Sequence, residues 1–159
     1  MMFHATVALR SVLQIQPGLL RQYGIRGLML DLDNTLTTHD NPVPAEGVLS
    51  WIDVMRQAGI ALMIVSNNKP HRVQPFAAAL GLPFVAEGAK PLPKGFRQAQ
   101  KRMQLPFSQL AVVGDQIFTD ILGANLCGVK SIYVRPIQYE KKGFLKVKRW
   151  LERPFLPKV

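Results

Sequence analysis

With 159 residues, of which 48% are hydrophobic and 19% charged, the chain has the composition of a folded globular protein, which excludes a disordered or collagen-like one. Its single cysteine, Cys127, excludes an intramolecular disulfide framework, and its first twenty residues resemble neither a signal peptide nor a membrane span. The net charge of +10 is concentrated at the ends, because residues 1–26 contribute +3 and residues 135–159 contribute +6. Basic ends on a near-neutral body indicate an anionic partner, either nucleic acid or acidic lipid.

The length indicates a single domain over residues 1–159, with its core at about residues 25–135 and a basic extension on either side. Because one cysteine is typical of a reducing compartment, we expect a cytoplasmic protein, soluble or at most peripheral on the cytoplasmic face of a membrane. The sequence leaves open the oligomeric state and whether residues 1–24 pack on the domain or on a partner.

Short apolar runs alternate along the chain with segments of helical periodicity. The predicted strands are residues 25–32, 60–65, 83–86, 110–113 and 131–134. The predicted helices are residues 44–57, 71–80, 92–103 and 119–126. Continuous apolar runs are typical of strands covered on both faces, and strand–helix alternation favours right-handed crossovers. The predicted fold class is α/β, with a doubly wound, mainly parallel, Rossmann-like sheet.

Polar residues follow the predicted strands at their carboxyl ends, where such sheets bind ligands. Asp31 and Asp33 follow the first run, and Ser66 follows the second. Asp115 follows the run at residues 110–113, and Asp120 comes five residues later. Two carboxylates about 4 Å apart repel by roughly 4 kcal/mol at a protein-like effective dielectric. A cluster of these acids therefore requires a cation.

The candidate ligands are oxygens, with no cysteine or histidine near them in sequence, so the predicted ion is Mg²⁺. Lys90, which follows the short strand at residues 83–86, is the expected second positive charge, although Lys94 lies close by. A divalent ion and a lysine beside hydroxyl and backbone N–H donors provide what a phosphate-binding site requires.

These residues, in this order, resemble the four motifs of the haloacid dehalogenase (HAD) superfamily over residues 25–135. The segments LDLDNTL, SNN, AKP and GDQIFTD are similar to those of its subfamily IIIA phosphatases, particularly the YqeG-type branch, which is similar to phosphatidylglycerophosphate phosphatases. The resemblance implies a HAD-like fold and a phosphatase that uses Mg²⁺.

The resemblance also implies roles for the matching positions. Asp31 is the implied nucleophile and a metal ligand, and Asp33 is the implied general acid and base, with a main-chain carbonyl that binds the metal. The implied phosphate-binding residues are Thr35, Ser66, Asn67 and Lys90, of which Thr35 holds the loop. Asp115 is an implied metal ligand, and Asp120 would orient either Lys90 or a metal-bound water.

Structural interpretations compete with these roles. Asp31 and Asp33 can form a turn, Ser66 with Asn67 can cap the following helix, and Asp120 can be a favourable charge in a first helical turn.

The spacing of the motifs leaves little room for a cap domain. Only 34 residues separate Asp31 from Ser66, and 23 separate Ser66 from Lys90. We therefore expect no large cap and an open site, which can accept phosphate on a bulky carrier such as a lipid head group, a protein or a nucleic-acid end.

A predicted helix over residues 139–153 is amphipathic. One side carries Phe144, Val147, Trp150 and Leu151, the opposite side carries Lys142, Lys146, Arg149 and Arg153, and the pattern is broken by Lys141, Leu145 and Lys148. Such a helix can lie on an anionic membrane, although a basic tail is more often a solvated face. Nucleic acid is less favoured, because the chain has no aromatic-rich RNA motif or zinc finger.

The favoured function is a Mg²⁺-dependent phosphomonoester hydrolase that forms an aspartyl-phosphate and acts on phosphatidylglycerophosphate. One alternative is a phosphatase for soluble metabolites or nucleic-acid ends that is closed by oligomerisation. Another is a catalytically weak module that binds RNA, a ribosome or a membrane, which steep salt-dependent RNA binding without turnover would favour.

Overall fold

The computed structural model describes residues 2–138 and 143–159, without the side chains of residues 143–146. Within these ranges the strands are β1 (Val7–Leu9), β2 (Gly27–Leu30), β3 (Ala61–Val65), β4 (Phe84–Val85), β5 (Leu110–Gly114) and β6 (Lys130–Val134). The α-helices are α1 (Pro17–Gln22), α2 (Val48–Gln57), α3 (Pro70–Leu80), α4 (Lys94–Met103), α5 (Leu122–Leu126) and α6 (Gly143–Glu152). A π-helical turn, Ile117–Ile121, leads into α5, and short 3₁₀ turns cover Val12–Gln14, Phe107–Gln109 and Arg153–Phe155.

The strands form one parallel sheet in the order β1-β6-β5-β2-β3-β4. β2 lies between β3 and β5, so the order reverses at this central strand. The carboxyl ends of β2, β3 and β5 meet at one edge of the sheet, at the switch point where doubly wound folds bind ligands. The predicted fold class is confirmed.

The alternation of side chains along β2 explains why this strand is apolar throughout. Leu28 and Leu30 belong to one buried cluster, together with Phe76 of α3. Met29 points to the opposite face and belongs to a second cluster, together with Phe96 of α4. Burying each such side chain contributes about 1.5–3 kcal/mol. Helices on both faces therefore fix the strand that carries Asp31 at its end.

The N-terminal segment packs on the sheet, which answers a question that the sequence left open. Strand β1 pairs in parallel with β6, with Val7 opposite Ile132. Val12, Ile15 and Leu20 are buried in the larger core cluster. Sequence patterns did not identify β1 or α1, because β1 is a three-residue, half-buried edge strand whose partner lies about 125 residues later in the chain.

Helices α2, α4 and α5 begin later than predicted, at Val48, Lys94 and Leu122. α2 begins at Val48 and not at residue 44, because Gly47 has a left-handed φ of 86° that an α-helix does not accommodate. The Ala45 N–H donates to the Leu36 carbonyl at 2.9 Å, so this stretch belongs to the loop after β2. The predicted start of the last helix at residue 139 lies outside the described residues, and α6 is described from Gly143.

Among the described residues, the chain between β2 and β3 forms only a loop and α2, and the chain between β3 and β4 forms only α3. The expectation of no large cap domain is confirmed for this part of the chain. None of its helices combines the length and the apolar character needed to cross a bilayer.

Candidate active site

The loop after β2 turns back on itself directly beyond the strand. The Asp31 N–H donates to the Val113 carbonyl of β5 at 2.9 Å, and the Asn34 N–H donates to the Thr37 carbonyl at 2.6 Å. Asn34 has a left-handed φ of 61°, which asparagine tolerates better than most residues. The tight loop holds Asp31 and Asp33 at the edge of the sheet, where both are more than nine-tenths buried.

The Asp33 carboxylate is held on both oxygens. Arg72 of α3 donates to Oδ1 at 2.8 Å, and the Asp40 N–H donates to the same oxygen at 3.0 Å. The Asn68 side-chain amide donates to Oδ2. Sequence reasoning did not assign roles to Arg72 or to Asn68, the last residue of the SNN segment, because their partner Asp33 lies 39 or 35 residues earlier in the chain.

Lys90 lies between two carboxylates below the site. Its Nζ is 2.9 Å from Asp31 Oδ1 and 2.6 Å from Asp120 Oδ1, and the residue is 6% exposed. Burial alone would lower the pKa of Lys90, but the nearby Asp120 and Asp31 carboxylates outweigh it and raise the pKa, so the ammonium stays charged. The competing Lys94 is exposed at the start of α4.

Residues after β3 place Lys90 and line the cavity. Asn67 accepts from the Lys90 N–H at 2.7 Å and donates to the Lys90 carbonyl at 3.0 Å. Ser66 is buried, and its Oγ accepts from the Asn68 N–H at 3.0 Å. α3 begins at Pro70 without a side-chain cap from the preceding Lys69, so the interpretation of Ser66 as an ordinary helix cap is not supported.

Asp115 and Asp120 are fully buried behind the loop after β2 that carries Asp31. Burial raises the pKa of Asp115 well above its usual range, an effect that Arg149 partly offsets. Burial and the Asp31 charge raise the pKa of Asp120 to about 6. A Cβ on Gly114 would lie 2.2 Å from Asp120 Cγ, so only glycine leaves room for this carboxylate. Asp120 does lie in the first turn of the π-helical segment, and in addition its Oδ1 accepts from Lys90 Nζ at 2.6 Å.

The three acids Asp31, Asp115 and Asp120 bring carboxylate oxygens within 4.8 Å of one another. This donor set consists of hard oxygens alone, which fits Mg²⁺ and not a thiolate-preferring metal. Thr35 does not line the cavity; its Oγ1 donates to Asp115 Oδ1 at 3.4 Å, so it supports the acidic cluster from behind.

Helix α6 contributes basic residues to the site that sequence reasoning did not place there. The Arg149 guanidinium donates to the Asp115 carboxylate and, at 2.8 Å, to the Asp115 main-chain carbonyl. Buried Glu152 accepts from the Phe118 N–H at 2.9 Å and lies 3.5 Å from the Arg149 guanidinium. The interpretation of the basic tail as a solvated face does not hold for Arg149, because the buried Asp115 carboxylate binds it. Of that side, Arg153 is exposed, and the side chains of Lys142 and Lys146 lie outside the described residues.

These elements enclose a cavity of about 220 Å³. It is lined by Asp31, Asp33, His39, Ser66, Asn67, Asn68, Lys90, Gln116, Thr119 and Lys148. All the sequence-predicted site residues therefore meet at one edge of the sheet, with Thr35, Asp115 and Asp120 behind the cavity wall. The arrangement places the Asp31 carboxylate next to the held Asp33 carboxylate and to a fixed cation that can attract an anionic substrate.

Comparisons with known proteins agree with this geometry. The family model described as haloacid dehalogenase-like hydrolase matches residues 20–128. The probable phosphatase YqeG of Bacillus subtilis (strain 168) is 35% identical over 147 residues, which are 92% of this chain and 86% of that protein. The chloroplastic phosphatidylglycerophosphate phosphatase 1 of Chlamydomonas reinhardtii is 26% identical over 74% of this chain. The match covers 47% of the algal protein, so the chain spans about half of its length.

A solved structure shares the fold. An uncharacterized protein from Listeria monocytogenes serotype 4b is similar with a TM-score of 0.61 over 75% of this chain and 85% of that one. At 19% identity, this likeness concerns the arrangement of strands and helices. Helix α6 lies beyond the segment that the family model matches.

Proposed function

This chain belongs to the haloacid dehalogenase-like hydrolases and is a phosphatase, and from that premise we propose that it hydrolyses phosphomonoesters through an aspartyl-phosphate on Asp31. The observation that carries the proposal is the buried Lys90 ammonium, which lies between Asp31 and Asp120 and lines the cavity. This cation holds the nucleophile in place and offers positive charge to a phosphoryl group beside it.

In the first step, an Asp31 carboxylate oxygen attacks phosphorus, an aspartyl–phosphorus bond forms, and the bond to the leaving oxygen breaks. Asp33 gives its proton to that oxygen, so an alcohol departs. In the second step, Asp33 takes a proton from water as the water oxygen attacks phosphorus. Inorganic phosphate leaves, and Asp31 and the protonated Asp33 are restored.

Residues around these two acids position them and the phosphoryl group. Arg72 and Asn68 fix the Asp33 carboxylate, which keeps its reactive oxygen within reach of the leaving group. The Ser66 hydroxyl and the Asn67 backbone N–H would donate to phosphoryl oxygens, in addition to Lys90.

The carboxylates of Asp31 and Asp115, with the main-chain carbonyl of Asp33, would hold Mg²⁺. When bound, the ion would supply charge neutralisation among the acids and the phosphoryl oxygens. Asp120, through its contact with Lys90, would keep the lysine aimed at the nucleophile.

For the substrate, we propose phosphatidylglycerophosphate at the cytoplasmic face of a membrane. The named activity of the algal relative, the open cavity and the basic ends of the chain support this choice. The apolar side of α6 supports it as well, because Val147, Trp150 and Leu151 are 54%, 62% and 49% exposed. An exposed apolar helix face followed by the exposed Arg153, in a C-terminal segment of net charge +6, suits an anionic bilayer.

The test is a panel of phosphomonoesters assayed with and without Mg²⁺. We expect faster phosphate release from phosphatidylglycerophosphate in mixed micelles than from sugar phosphates or nucleotides, and no release without Mg²⁺ or by the Asp31→Asn variant. A preference for the soluble substrates would contradict the lipid assignment, and turnover by Asp31→Asn would contradict the nucleophile.

A further inference from the structure

The cavity above Asp31 contains a second lysine that the mechanism does not use. Lys148 of α6 lines the cavity together with Asp31 and Lys90. Its Nζ donates to the side-chain carbonyl of Gln116 at 2.6 Å, and Gln116 lines the same wall. Lys148 is half-buried, so a cation is held inside the site.

The two lysines differ in how their charges are compensated. Lys90 has two carboxylates within hydrogen-bond distance, at Asp31 and Asp120. For Lys148, no carboxylate of residues 2–138 or 147–159 lies within ion-pairing distance, and its close partner is the neutral Gln116 amide. Burial lowers the pKa of Lys148, while Glu152 and other acids act on it from farther away. A cation that has no close counter-ion within these ranges is suited to binding an anion.

Contacts on either side of Lys148 fix its helix against the site. Arg149 donates to the Asp115 carbonyl at 2.8 Å, and Glu152 accepts from the Phe118 N–H at 2.9 Å. Both partners lie in the segment after β5, which also supplies Gln116. Lys148 is therefore presented by a docked helix and not by a free tail.

We propose that Lys148 binds a second anionic group, carried by the alcohol part of the substrate, and so selects phosphomonoesters whose leaving group contains a phosphodiester. The inference rests on the proposed function and refines the substrate class of that same site. Lys148 and Lys90 line the same cavity, so a second anionic group of the substrate would lie in one cavity with the reacting phosphate.

The position of Lys148 separates it from the groups that hold the reacting phosphate. Asn67 is hydrogen-bonded to Lys90, and Ser66 precedes Asn67 in the loop after β3. Lys148 belongs to the wall formed by Gln116, Thr119 and α6. A substrate with one phosphate needs only Ser66, Asn67 and Lys90. A substrate with a second anionic group would also contact Lys148.

Two soluble substrates that differ in the second anion test this inference without a membrane. The first is the deacylated head group glycerophosphoglycerophosphate, and the second is glycerol 3-phosphate, which has no phosphodiester. The proteins are the wild type, Lys148→Gln, Lys148→Arg and a matched charge control, Lys101→Gln, whose side chain is exposed on α4. Equal melting temperatures would show that the variants are folded.

We expect the wild type to have a lower KM for the head group than for glycerol 3-phosphate. Lys148→Gln should raise the KM for the head group about tenfold with little change in kcat, because a charge-assisted hydrogen bond is lost. The KM for glycerol 3-phosphate should change less than about twofold. Lys148→Arg should retain most of the preference, and Lys101→Gln should retain all of it.

The results distinguish a failure of the Lys148 inference from a failure of the proposed function. An equal loss on both substrates would overturn the inference and assign Lys148 to the reacting phosphate. A wild type without preference for the head group, or a Lys148→Gln variant that keeps the preference, would also overturn it. Absence of turnover of any phosphomonoester by the wild type would instead refute the proposed function.

Discussion

At the scale of single residues, the site holds buried carboxylates whose negative charges are partly offset by nearby cations. Asp31, Asp115 and Asp120 share a small volume, and the described cations that contact them are Lys90 and Arg149. Removing a cation from such a cluster leaves carboxylates that repel one another in surroundings that screen them poorly. We expect Lys90 to be the more consequential of the two cations for catalysis, because it contacts Asp31, the proposed nucleophile.

Lys90→Met should therefore reduce kcat/KM by about 100-fold or more, since a fixed cation beside the nucleophile is lost. Steady-state kinetics with Mg²⁺ measure the effect. Lys94→Met provides the matched control, because Lys94 is exposed at the start of α4 and should be close to neutral. Equal losses in both variants would contradict the assignment of Lys90.

Gly114→Ala should disturb Asp120 without changing any charge. The new methyl group would lie 2.2 Å from Asp120 Cγ, so the carboxylate and its contact with Lys90 must shift. We expect a destabilisation of about 1–3 kcal/mol by denaturant unfolding and a clear loss of activity. In the control Gly18→Ala, the nearest atom outside the local backbone is 3.8 Å away, and activity should be retained.

The motif spacing predicted residues that the structure brings together at the site, but not the residues that hold them in place. Asp31, Ser66, Lys90 and Asp115 were identifiable because each follows a strand at a recognisable distance from the others. Arg72 was not, because its contact with Asp33 depends on how α3 packs after folding.

At the scale of elements, the sheet was predictable and the docking of α6 was not. Buried parallel strands are apolar on both faces, so β2, β3 and β5 were evident as continuous runs. A helical wheel separates the faces of α6, but it does not show which face packs against the rest of the domain. The wheel alone therefore assigns Arg149 to a solvated basic face, because it does not show the contact with Asp115, which lies 34 residues earlier.

Arg149→Ala should release α6 from the site. The side chain is 11% exposed and its partner Asp115 is fully buried, and breaking a buried ion pair costs about 3–5 kcal/mol. Hydrogen–deuterium exchange should show weaker protection over residues 147–152 in this variant. Arg153→Ala, which removes an exposed arginine just after α6, should leave the protection unchanged. Unchanged exchange in Arg149→Ala would contradict the docking of α6.

At the scale of the whole molecule, the two ends of the chain differ in what they contribute. The N-terminal segment completes the sheet edge and buries Val12, Ile15 and Leu20 against it. The C-terminal segment supplies cations to the site and exposes the apolar residues Trp150 and Leu151. We propose that residues 1–159 unfold as one domain, because β1 is hydrogen-bonded in the same sheet as the catalytic strands.

Ile15→Ala tests whether the N-terminal segment belongs to the core. Ile15 is fully buried, so truncation should lower the free energy of unfolding by about 2–5 kcal/mol in a single transition. Leu13→Ala is the neighbouring control; its side chain is 38% exposed, and the loss should be distinctly smaller. Equal losses of unfolding free energy in the two variants, or a separate early unfolding transition, would place residues 1–24 outside the domain.

The most direct test of the central claim is to find the phosphoryl group on Asp31. In Asp33→Asn, p-nitrophenyl phosphate can still react, because its leaving group needs little protonation, while hydrolysis of the intermediate should be slow. We predict that protein quenched in acid after mixing with this substrate and Mg²⁺ carries one phosphoryl group, which mass spectrometry of its peptides locates at Asp31. Release of p-nitrophenol in excess over enzyme, with no phosphoryl group on the protein or with one on another residue, would contradict the account.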